Sequence, residues 1–401
     1  MAINKFSESV FECLGDFDKR LLYYDILYLS NRDQRKFKIY RKIFKIFLSY
    51  NYSPLLKEIK KNKIVCSYPY SRKDHRKLFD EITKKIECFK IYSYRLKFYF
   101  NVKVIKNVIY DCKKLIVSKK ITFNEKLFLI FNLIFYKNSL SSIKKIKPDE
   151  NKKLVFFSSC VGPEMIFSIW ANEINKITTY SLTHGQTYIN FKQFDPIDVI
   201  NAKNINADYV LVWGNQQKKD LIKNYSYSSK KIIISGNPLF RKISTYKKKN
   251  KLGFVLLPRH IYKKTNLELL KLLSEVNYQF IILPHPSLSK ENLNKEYNNL
   301  KFDFRNHYRD IIQNYRPSFA ITYNSSVYFE IMSFGIPCYR YNKYENDIYR
   351  GLEDKFSNIN ELKYLIRNNE NFTKNNFVNF KKLLIDNLGL GIDNYKKILN
   401  E

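Results

Sequence analysis

Residues 153–159 read KLVFFSS and residues 162–174 read GPEMIFSIWANEI, and this stretch decides the fold. A short apolar run is typical of a buried strand, and the longer apolar pattern directly after it predicts a helix. The alternation continues with the predicted strands TTYSLTHG (Thr178–Gly185), ADYVLVWG (Ala207–Gly214) and KIIISGNP (Lys231–Pro238). Strands that alternate with helices indicate βαβ units and therefore a parallel sheet.

A second series of the same kind follows a charge-dense segment, RKISTYKKKNK (Arg241–Lys251), whose composition is typical of a linker. Its predicted strands include LGFVLLP (Leu252–Pro258), QFIILPHP (Gln279–Pro286) and SFAITY (Ser318–Tyr323). We therefore predict an α/β protein with two parallel-sheet domains. The predicted segments are residues 1–245, the first domain with a helical, basic N-terminal region; residues 246–365, the second domain; and residues 366–401, C-terminal helices that pack back on the first domain.

The first 150 residues are expected to be mostly helical, with a short strand at Lys63–Tyr68 (KIVCSY). In RKFKIYRKIFKIFL (Arg35–Leu48), aromatic residues recur at spacings of three and four with basic residues between them, which predicts an amphipathic helix. It is either a core helix with a solvated basic face or a helix on an anionic membrane surface. The apolar run Leu127–Tyr136 is about half of a membrane span, so we expect a buried helix or strand there.

Composition excludes several classes of protein. The hydrophobic content of 45% excludes a disordered chain, and the six scattered cysteines without a CxxC pair predict reduced thiols in a cytosolic protein rather than a disulfide scaffold. The first residues carry acidic side chains and no apolar core, which predicts no signal peptide. The chain has 71 Lys and Arg against 37 Asp and Glu, a net charge of +34 that favours phosphates, acidic lipid or nucleic acid as partners.

Glycine and histidine are scarce, with ten and five residues, and several follow predicted strands. Ligands bind at the carboxyl ends of strands in open parallel sheets. These positions are therefore candidates for function. The glycines in such positions are Gly162, Gly185, Gly214 and Gly236, and the histidines are His184, His260 and His285.

The second domain offers candidate ligands for phosphate. The imidazole of His285, held by the following Pro286, can donate to a phosphate oxygen. Ser325 and Ser326 lie at a strand-to-helix junction, where hydroxyl and helix N-terminal N–H groups form an anion site or simply cap the helix. Glu330, four residues after Ser326, is either a ribose ligand or a solvated helix residue.

The first domain offers two candidate general bases. His184 precedes Gly185 at a strand end, and an imidazole titrates near neutral pH. Glu164 lies at a helix N-terminus, where the helix dipole alone could account for it. No Asp-X-Asp motif falls at a strand end, so we expect no metal, and the charge of a leaving phosphate would be neutralised by helix dipoles together with His285, Ser325, Ser326 and Arg259.

The order of these motifs resembles that of a known class. HG, then SGNP, then a strand ending in Pro-Arg, then LPHP and NSSVYFEIMSFGIP, within Lys153–Leu365, resembles bacterial surface-polysaccharide transferases of the GT-B fold. Two groups are similar: the sialyl- and polysialyltransferases that use CMP-activated nonulosonic acids, and the CDP-glycerol glycerophosphotransferases. At the base position Thr183-His184-Gly185 has the glycerophosphotransferase-like form, whereas sialyltransferases have two acidic residues before the glycine.

The resemblance implies a fold and a set of roles. The fold would be GT-B, with two Rossmann-like domains facing a cleft. His285, Ser325 and Ser326 would bind the donor phosphate and His184 would be the catalytic base. We add Pro286, Glu330, Arg259 and Gly236 to the donor-binding set, Glu164 to the catalytic set, and Gly185 and Gly214 to the cleft loops.

The sequence thus predicts a glycosyltransferase of capsule or lipopolysaccharide O-antigen synthesis. It would move a sugar, with a CMP-activated nonulosonic acid among the candidates, from a nucleotide donor to a lipid-linked glycan without a cofactor. It would work as a peripheral protein on the cytoplasmic face of an anionic inner membrane. The alternatives are a CDP-polyol phosphate transferase, a nucleotide-sugar epimerase, and a basic nucleic-acid-binding protein, although no nucleic-acid module is present.

Overall fold

The structure is a computed structural model, and the two sheets that the sequence predicts are present in it. The described residues are 5–30, 43–70, 72–143, 151–183, 185, 202–240, 251–258, 262–285, 288, 300–323, 325, 327–341, 354–368, 377–389, 391 and 393–400. The chain divides into two compact units. Unit 1 comprises Met1–Leu239 and Ile392–Glu401, and unit 2 comprises Phe240–Gly391.

Unit 1 contains a six-stranded parallel sheet. Its strands are β2 (Ile64–Ser67), β3 (Phe89–Ile91), β5 (Lys153–Phe156), β6 (Thr178–Leu182), β7 (Tyr209–Val212) and β8 (Ile232–Ile234). Their order is β3-β2-β5-β6-β7-β8, and every neighbouring pair is parallel. The apolar strands β2 and β5 are buried along almost their whole length, as expected for a sheet covered on both faces.

The N-terminal part of unit 1 is more mixed than the sequence predicts. Two short antiparallel strands, β1 (Leu48–Tyr50) and β4 (Leu96–Phe98), pair with each other. A 3-10 helix, Phe44–Phe47, leads into β1, so the predicted amphipathic helix Arg35–Leu48 is wrong over its described end. Pairing of Leu48 with Phe98 across the two strands overrides the helical period, since aromatic and aliphatic side chains suit paired strands as well.

The α-helices of unit 1 pack on this sheet and on one another. They are α1 (Lys5–Cys13), α2 (Asp16–Ser30), α3 (Ser53–Lys61), α4 (Lys73–Thr83), α5 (Val102–Asp111), α6 (Lys113–Val117), α7 (Phe123–Ser141), α8 (Gly162–Ile169), α9 (Asn215–Tyr225) and α15 (Asp393–Asn400). The helix α7 contains the apolar run Leu127–Tyr136, and a capping box between Thr122 and Glu125 fixes its start. No helix among the described residues is long and apolar enough to cross a membrane.

Unit 2 contains the second six-stranded parallel sheet. Its strands are β9 (Leu252–Leu257), β10 (Gln279–Pro284), β11 (Leu300–Phe302), β12 (Phe319–Thr322), β13 (Cys338–Tyr341) and β14 (Lys355–Phe356), in the order β11-β10-β9-β12-β13-β14. The central strand β9 is tightly packed, because a Cβ on Gly253 would lie 2.6 Å from a ring carbon of Phe280 and 2.9 Å from one of Phe319. Its helices are α10 (Lys263–Ser274), α11 (Tyr308–Tyr315), α12 (Val327–Ser333), α13 (Ile359–Arg367) and α14 (Phe377–Leu388).

The C-terminal helices belong to different units. Helix α14 packs on α12 in unit 2. Helix α15 lies in unit 1, where the Tyr395 hydroxyl donates to the Gly236 carbonyl at 2.8 Å and the Lys153 ammonium donates to the Leu399 carbonyl at 3.0 Å. The α/β fold class with two parallel-sheet units is therefore confirmed. Within the final segment, predicted as residues 366–401, α15 packs on unit 1 and α14 packs in unit 2.

Candidate functional site

The sheet of unit 2 has a reversal in its winding. From β9 the chain first adds β10 and β11 on one side, and then returns to add β12, β13 and β14 on the other. The reversal lies between β9 and β12. Because crossovers between parallel strands are right-handed, connections that start on either side of such a reversal are expected to run over opposite faces of the sheet. Ligands of open parallel sheets bind at such a reversal, beyond the carboxyl ends of the strands. The loops concerned begin after Leu257 and Thr322.

His285 lies beside this reversal. Its backbone N–H donates to the carbonyl of Leu257 at 3.0 Å, and its carbonyl accepts from the N–H of Leu288 at 2.8 Å, which closes a turn. The residue is half-buried. Strands β10 and β12 both neighbour β9, so the ends that carry His285 and Ser325 are roughly 10 Å apart at the usual strand spacing.

Ser325 follows β12 and lies two residues before the start of α12. Its Oγ accepts a hydrogen bond from the N–H of Val327 at 3.3 Å, and its carbonyl accepts from the N–H of Tyr328 at 3.2 Å. The capping role that the sequence allowed is therefore present. A serine hydroxyl that accepts still has its own proton to donate, so capping leaves a donor for a bound anion. Ser326, Pro286, Arg259 and His260 lie outside the described residues.

Glu330 is placed in a buried ion pair. Its Oε2 lies 3.1 Å from a guanidinium nitrogen of Arg309 and accepts a hydrogen bond from the hydroxyl of Tyr308. The Nε of Arg309 donates to the Tyr308 hydroxyl at 2.8 Å, so the three side chains form one network that joins α11 to α12. Only 9% of the Glu330 side chain is exposed, so it is not a solvated helix residue.

A second buried network lies at the same end of the sheet, and sequence reasoning missed it. Arg340, the second-last residue of β13, donates from Nε to Oδ2 of Asp354 at 2.8 Å, with a second contact from its terminal nitrogen. The hydroxyl of Tyr328 donates to the same carboxylate. Burial raises the pKa of Asp354, and the hydrogen bonds from Arg340 oppose that shift. Because Tyr328 also bonds to Ser325 through its backbone, this network holds the start of α12 in place.

The sheet of unit 1 reverses its winding between β2 and β5. Glu164, on α8, lies directly behind the loop that follows β5 and is fully buried. Its Oε1 accepts from the N–H of Phe157 at 3.1 Å and its Oε2 accepts from the N–H of Ser158 at 2.9 Å. Burial raises the pKa of Glu164 to about 8, against the lowering effect of hydrogen bonds from Ser67, Ser158, Phe157 and Tyr70. The carboxyl group therefore holds the strand-end loop.

Aromatic side chains line the same strand ends. The ring centroids of Tyr68 and Phe157 are 4.9 Å apart with the rings perpendicular, and His75 lies 5.2 Å from Phe157. The hydroxyl of Tyr94 is 2.8 Å from Oγ of Ser67. The only sequence signal for this cluster was KIVCSY, which predicted a strand and gave no indication that its end meets the loop after β5.

The remaining predicted positions of unit 1 are His184, Gly185, Gly214 and Gly236. His184 lies outside the described residues. The carbonyl of Gly185 accepts from the side chain of Gln217 at 3.0 Å, and Gly214 is the N-cap residue of α9, with an extended backbone. Gly236 has a φ of +87°, which favours glycine, and its carbonyl is bound by Tyr395. Gly236 thus lies in unit 1, whereas His285 and Ser325 lie in unit 2.

Comparison with known proteins gives remote structural similarities. No protein-family model and no curated protein matches the chain. The apo form of the lipopolysaccharide outer core galactosyltransferase WaaB is 15% identical, with a TM-score of 0.44 over 84% of this chain and 98% of that one. The UDP-GlcNAc 2-epimerase of Neisseria meningitidis, bound to UDP-GlcNAc, is 14% identical, with a TM-score of 0.46 over 84% and 98%. The wall teichoic acid polymerase TagF is 12% identical, with a TM-score of 0.44 over 91% and 96%.

Proposed function

We propose that the chain is a metal-independent GT-B glycosyltransferase of capsule or lipopolysaccharide synthesis. It transfers a sugar from a nucleotide donor to a lipid-linked glycan. The observation that carries this proposal is the winding reversal of unit 2, where the strand ends that bear His285 and Ser325 flank the central strand β9. A reversal of this kind is where such sheets bind nucleotides.

The donor nucleotide binds to unit 2 with its phosphates at these strand ends. The imidazole of His285 and the hydroxyl of Ser325 donate to phosphate oxygens, and the proposed donor-binding set also includes Arg259, Ser326 and Pro286. Donors that are already in place when the leaving phosphate gains charge lower the barrier of the transfer. The nearby network of Tyr328, Asp354 and Arg340 supports this arrangement, since it anchors the helix that follows Ser325.

The acceptor binds to unit 1. Its hydroxyl oxygen attacks the anomeric carbon, the bond from that carbon to the phosphate oxygen breaks, and the nucleotide leaves with the electron pair. His184 takes the hydroxyl proton as general base. Glu164 acts as a positioning residue, because both of its oxygens accept hydrogen bonds from backbone N–H groups of the loop after β5.

A second candidate function is phosphate transfer from a CDP-polyol. It is favoured by Thr183-His184-Gly185, which has the form found in glycerophosphotransferases. In that reaction the acceptor oxygen attacks phosphorus and CMP leaves. In the sialyltransferase-like form of the first proposal, the donor is a CMP-linked nonulosonic acid. In both cases we place the protein at the cytoplasmic face of an anionic membrane, since its acceptor is lipid-linked and its net charge is +34.

A nucleotide panel tests the proposal. We expect CMP, CDP or UDP to raise the unfolding free energy by about 2.7 kcal/mol at a hundred times the dissociation constant. Ligand identity then separates the candidates: CDP-glycerol turnover selects polyol phosphate transfer, and CMP-sugar or UDP-sugar turnover selects the glycosyltransferase. Tight retention of DNA at physiological salt with no nucleotide bound would overturn both.

A further inference from the structure

Exposed apolar side chains are concentrated in one stretch of unit 1. Of the 17 large apolar side chains that are exposed in the described part of the chain, nine fall between residues 96 and 123. They are Leu96, Phe98, Phe100, Val102, Ile109, Tyr110, Ile116, Val117 and Phe123. Exposed apolar side chains that are grouped in this way are characteristic of an interaction site.

The stretch has a fixed shape. Strand β4 is tied to the rest of unit 1 by its pairing with β1, and the ring of Phe47 stacks 6.3 Å from Phe98 and 5.2 Å from Phe100. The following helices bury Val108, Cys112 and Leu115 completely in the core. Their exposed apolar residues therefore lie on the side away from the core, where an ordinary surface helix carries polar residues.

The same stretch is strongly basic. Between residues 95 and 126 there are two acidic residues, and both are already engaged: Asp111 pairs with Lys137 at 2.8 Å, and Glu125 closes the capping box of α7. The ammonium of Lys113 lies over the ring of Tyr110 at 4.0 Å. The basic residues are Arg95, Lys97, Lys103, Lys106, Lys113, Lys114, Lys119, Lys120 and Lys126.

We propose that residues 95–126 form a membrane-binding surface, in which the exposed apolar side chains enter an anionic lipid bilayer and the lysines contact the headgroups. This combination of buried apolar area and basic charge is what holds interfacial segments on anionic membranes. This inference rests on the proposed function only for the expectation that the protein works at an anionic bilayer. The sequence offered Arg35–Leu48 as a membrane-surface helix only as an alternative to a core helix, and this inference places the membrane contact on β4, α5, α6 and the start of α7 instead.

The charge and composition of the surface exclude other occupants. A second copy would bring the same positive charge against this face, which is unfavourable for a symmetric dimer. Nucleic acid binds aromatic side chains by stacking but gains little from aliphatic ones. The exposed Leu96, Val102, Ile109, Ile116 and Val117 are suited to acyl chains instead.

Sedimentation of the full chain with vesicles tests the inference. We expect binding to vesicles of phosphatidylcholine with one quarter phosphatidylglycerol, and at least tenfold weaker binding to phosphatidylcholine alone. The triple variant Phe98→Ser, Val117→Ser, Phe123→Ser keeps the net charge and should lose at least tenfold in partitioning. All three side chains are more than 70% exposed, so the fold should persist. The control pair Ile174→Ser and Tyr364→Ser, exposed elsewhere, should bind like the wild type.

A second measurement tests insertion itself. Val117→Trp should show fluorescence quenched by brominated acyl chains, whereas a surface that only adsorbs electrostatically would not be quenched. Equal vesicle binding by the triple variant and the wild type overturns the inference, as does dimerisation or capture of nucleic acid through this surface without vesicle binding. Nucleotide-induced stabilisation of the triple variant should equal that of the wild type, so failure here is distinguishable from failure of the proposed function.

Discussion

The backbone N–H of His285 donates to the carbonyl of Leu257 at 3.0 Å. This hydrogen bond continues the pairing of β9 and β10 by one residue and places the histidine beside the central strand of unit 2. The position of the residue is therefore fixed by its backbone. Its imidazole is not required for that hydrogen bond, and this separation of roles allows a direct test of the donor site.

His285→Ala should abolish transfer and weaken donor binding at least tenfold, while the free energy of unfolding changes by less than about 1 kcal/mol. The side chain is only half-buried, and the backbone hydrogen bond survives the substitution. Donor titration and urea denaturation measure the two effects. His307→Asn is the matched control, since asparagine keeps the N-cap of α11 and should leave donor binding unchanged. Full activity in His285→Ala would remove the phosphate role.

Glu164 should make the protein less stable as the pH rises. Burial raises its pKa to about 8 in the folded state, so between pH 4.5 and 8 the folded protein binds more protons than the unfolded chain. Stability from this group is then lost as the pH passes through that window, with a slope of at most about 1.4 kcal/mol per pH unit. Denaturation at pH 5, 6, 7 and 8 should show this slope in the wild type and a flatter profile in Glu164→Gln. Identical profiles would contradict the assignment.

Much of the architecture could be predicted from sequence, because parallel strands buried on both faces have a strong apolar signal. KLVFFSS and LGFVLLP gave β5 and β9 with nearly correct bounds. Two-residue β14 and three-residue β3 were missed, since such short strands have no period to detect. The helix predicted over Arg35–Leu48 is wrong over its described end, because aromatic and aliphatic side chains such as Phe47 and Leu48 suit a short 3-10 turn and a strand pair as well as a helix.

The candidate site was predicted only in part. Position at a strand end could be inferred for His285 and Ser325, because it follows directly from local pattern. The environment of Glu330 could not, since Arg309 lies 21 residues earlier and only the packing of α11 on α12 brings the two together. The pairing of Arg340 with Asp354 was missed for the same reason. Long-range ion pairs have no local signature in a single sequence.

Removing one partner of the Arg340–Asp354 pair should lower the free energy of unfolding strongly, whereas replacing both partners with apolar residues should lower it little. Asp354→Ala leaves a buried guanidinium without its partner and should destabilise unit 2 by about 3–5 kcal/mol. The double variant Arg340→Met, Asp354→Leu removes both charges and should recover most of that loss. Urea denaturation of the two variants measures the difference. A double variant as unstable as Asp354→Ala would show that packing, rather than the uncompensated charge, dominates.

Donor binding should be independent of divalent metal. The proposed site relies on His285, Ser325, Ser326 and Arg259 to stabilise phosphate charge, so treatment with EDTA should leave both donor affinity and transfer unchanged. Titration with Mg²⁺ and Mn²⁺ after chelation is the measurement. Tenfold or greater restoration of transfer by either ion would overturn the metal-independent mechanism, whatever its effect on stability.

Glu330 should bind the ribose through the oxygen that its ion pair does not use. Both of its contacts, from Tyr308 and Arg309, fall on Oε2. Glu330→Gln should weaken binding of the ribonucleotide about tenfold, which is the size of one charge-assisted hydrogen bond. Of the 2′- and 3′-deoxynucleotides, the one that lacks the hydroxyl bound by Glu330 should lose less affinity than the ribonucleotide, because it cannot make that hydrogen bond with the wild type either. The exposed Glu361→Gln serves as control. An equal loss for the ribonucleotide and both deoxynucleotides would instead make Glu330 a positioning residue that acts through Arg309.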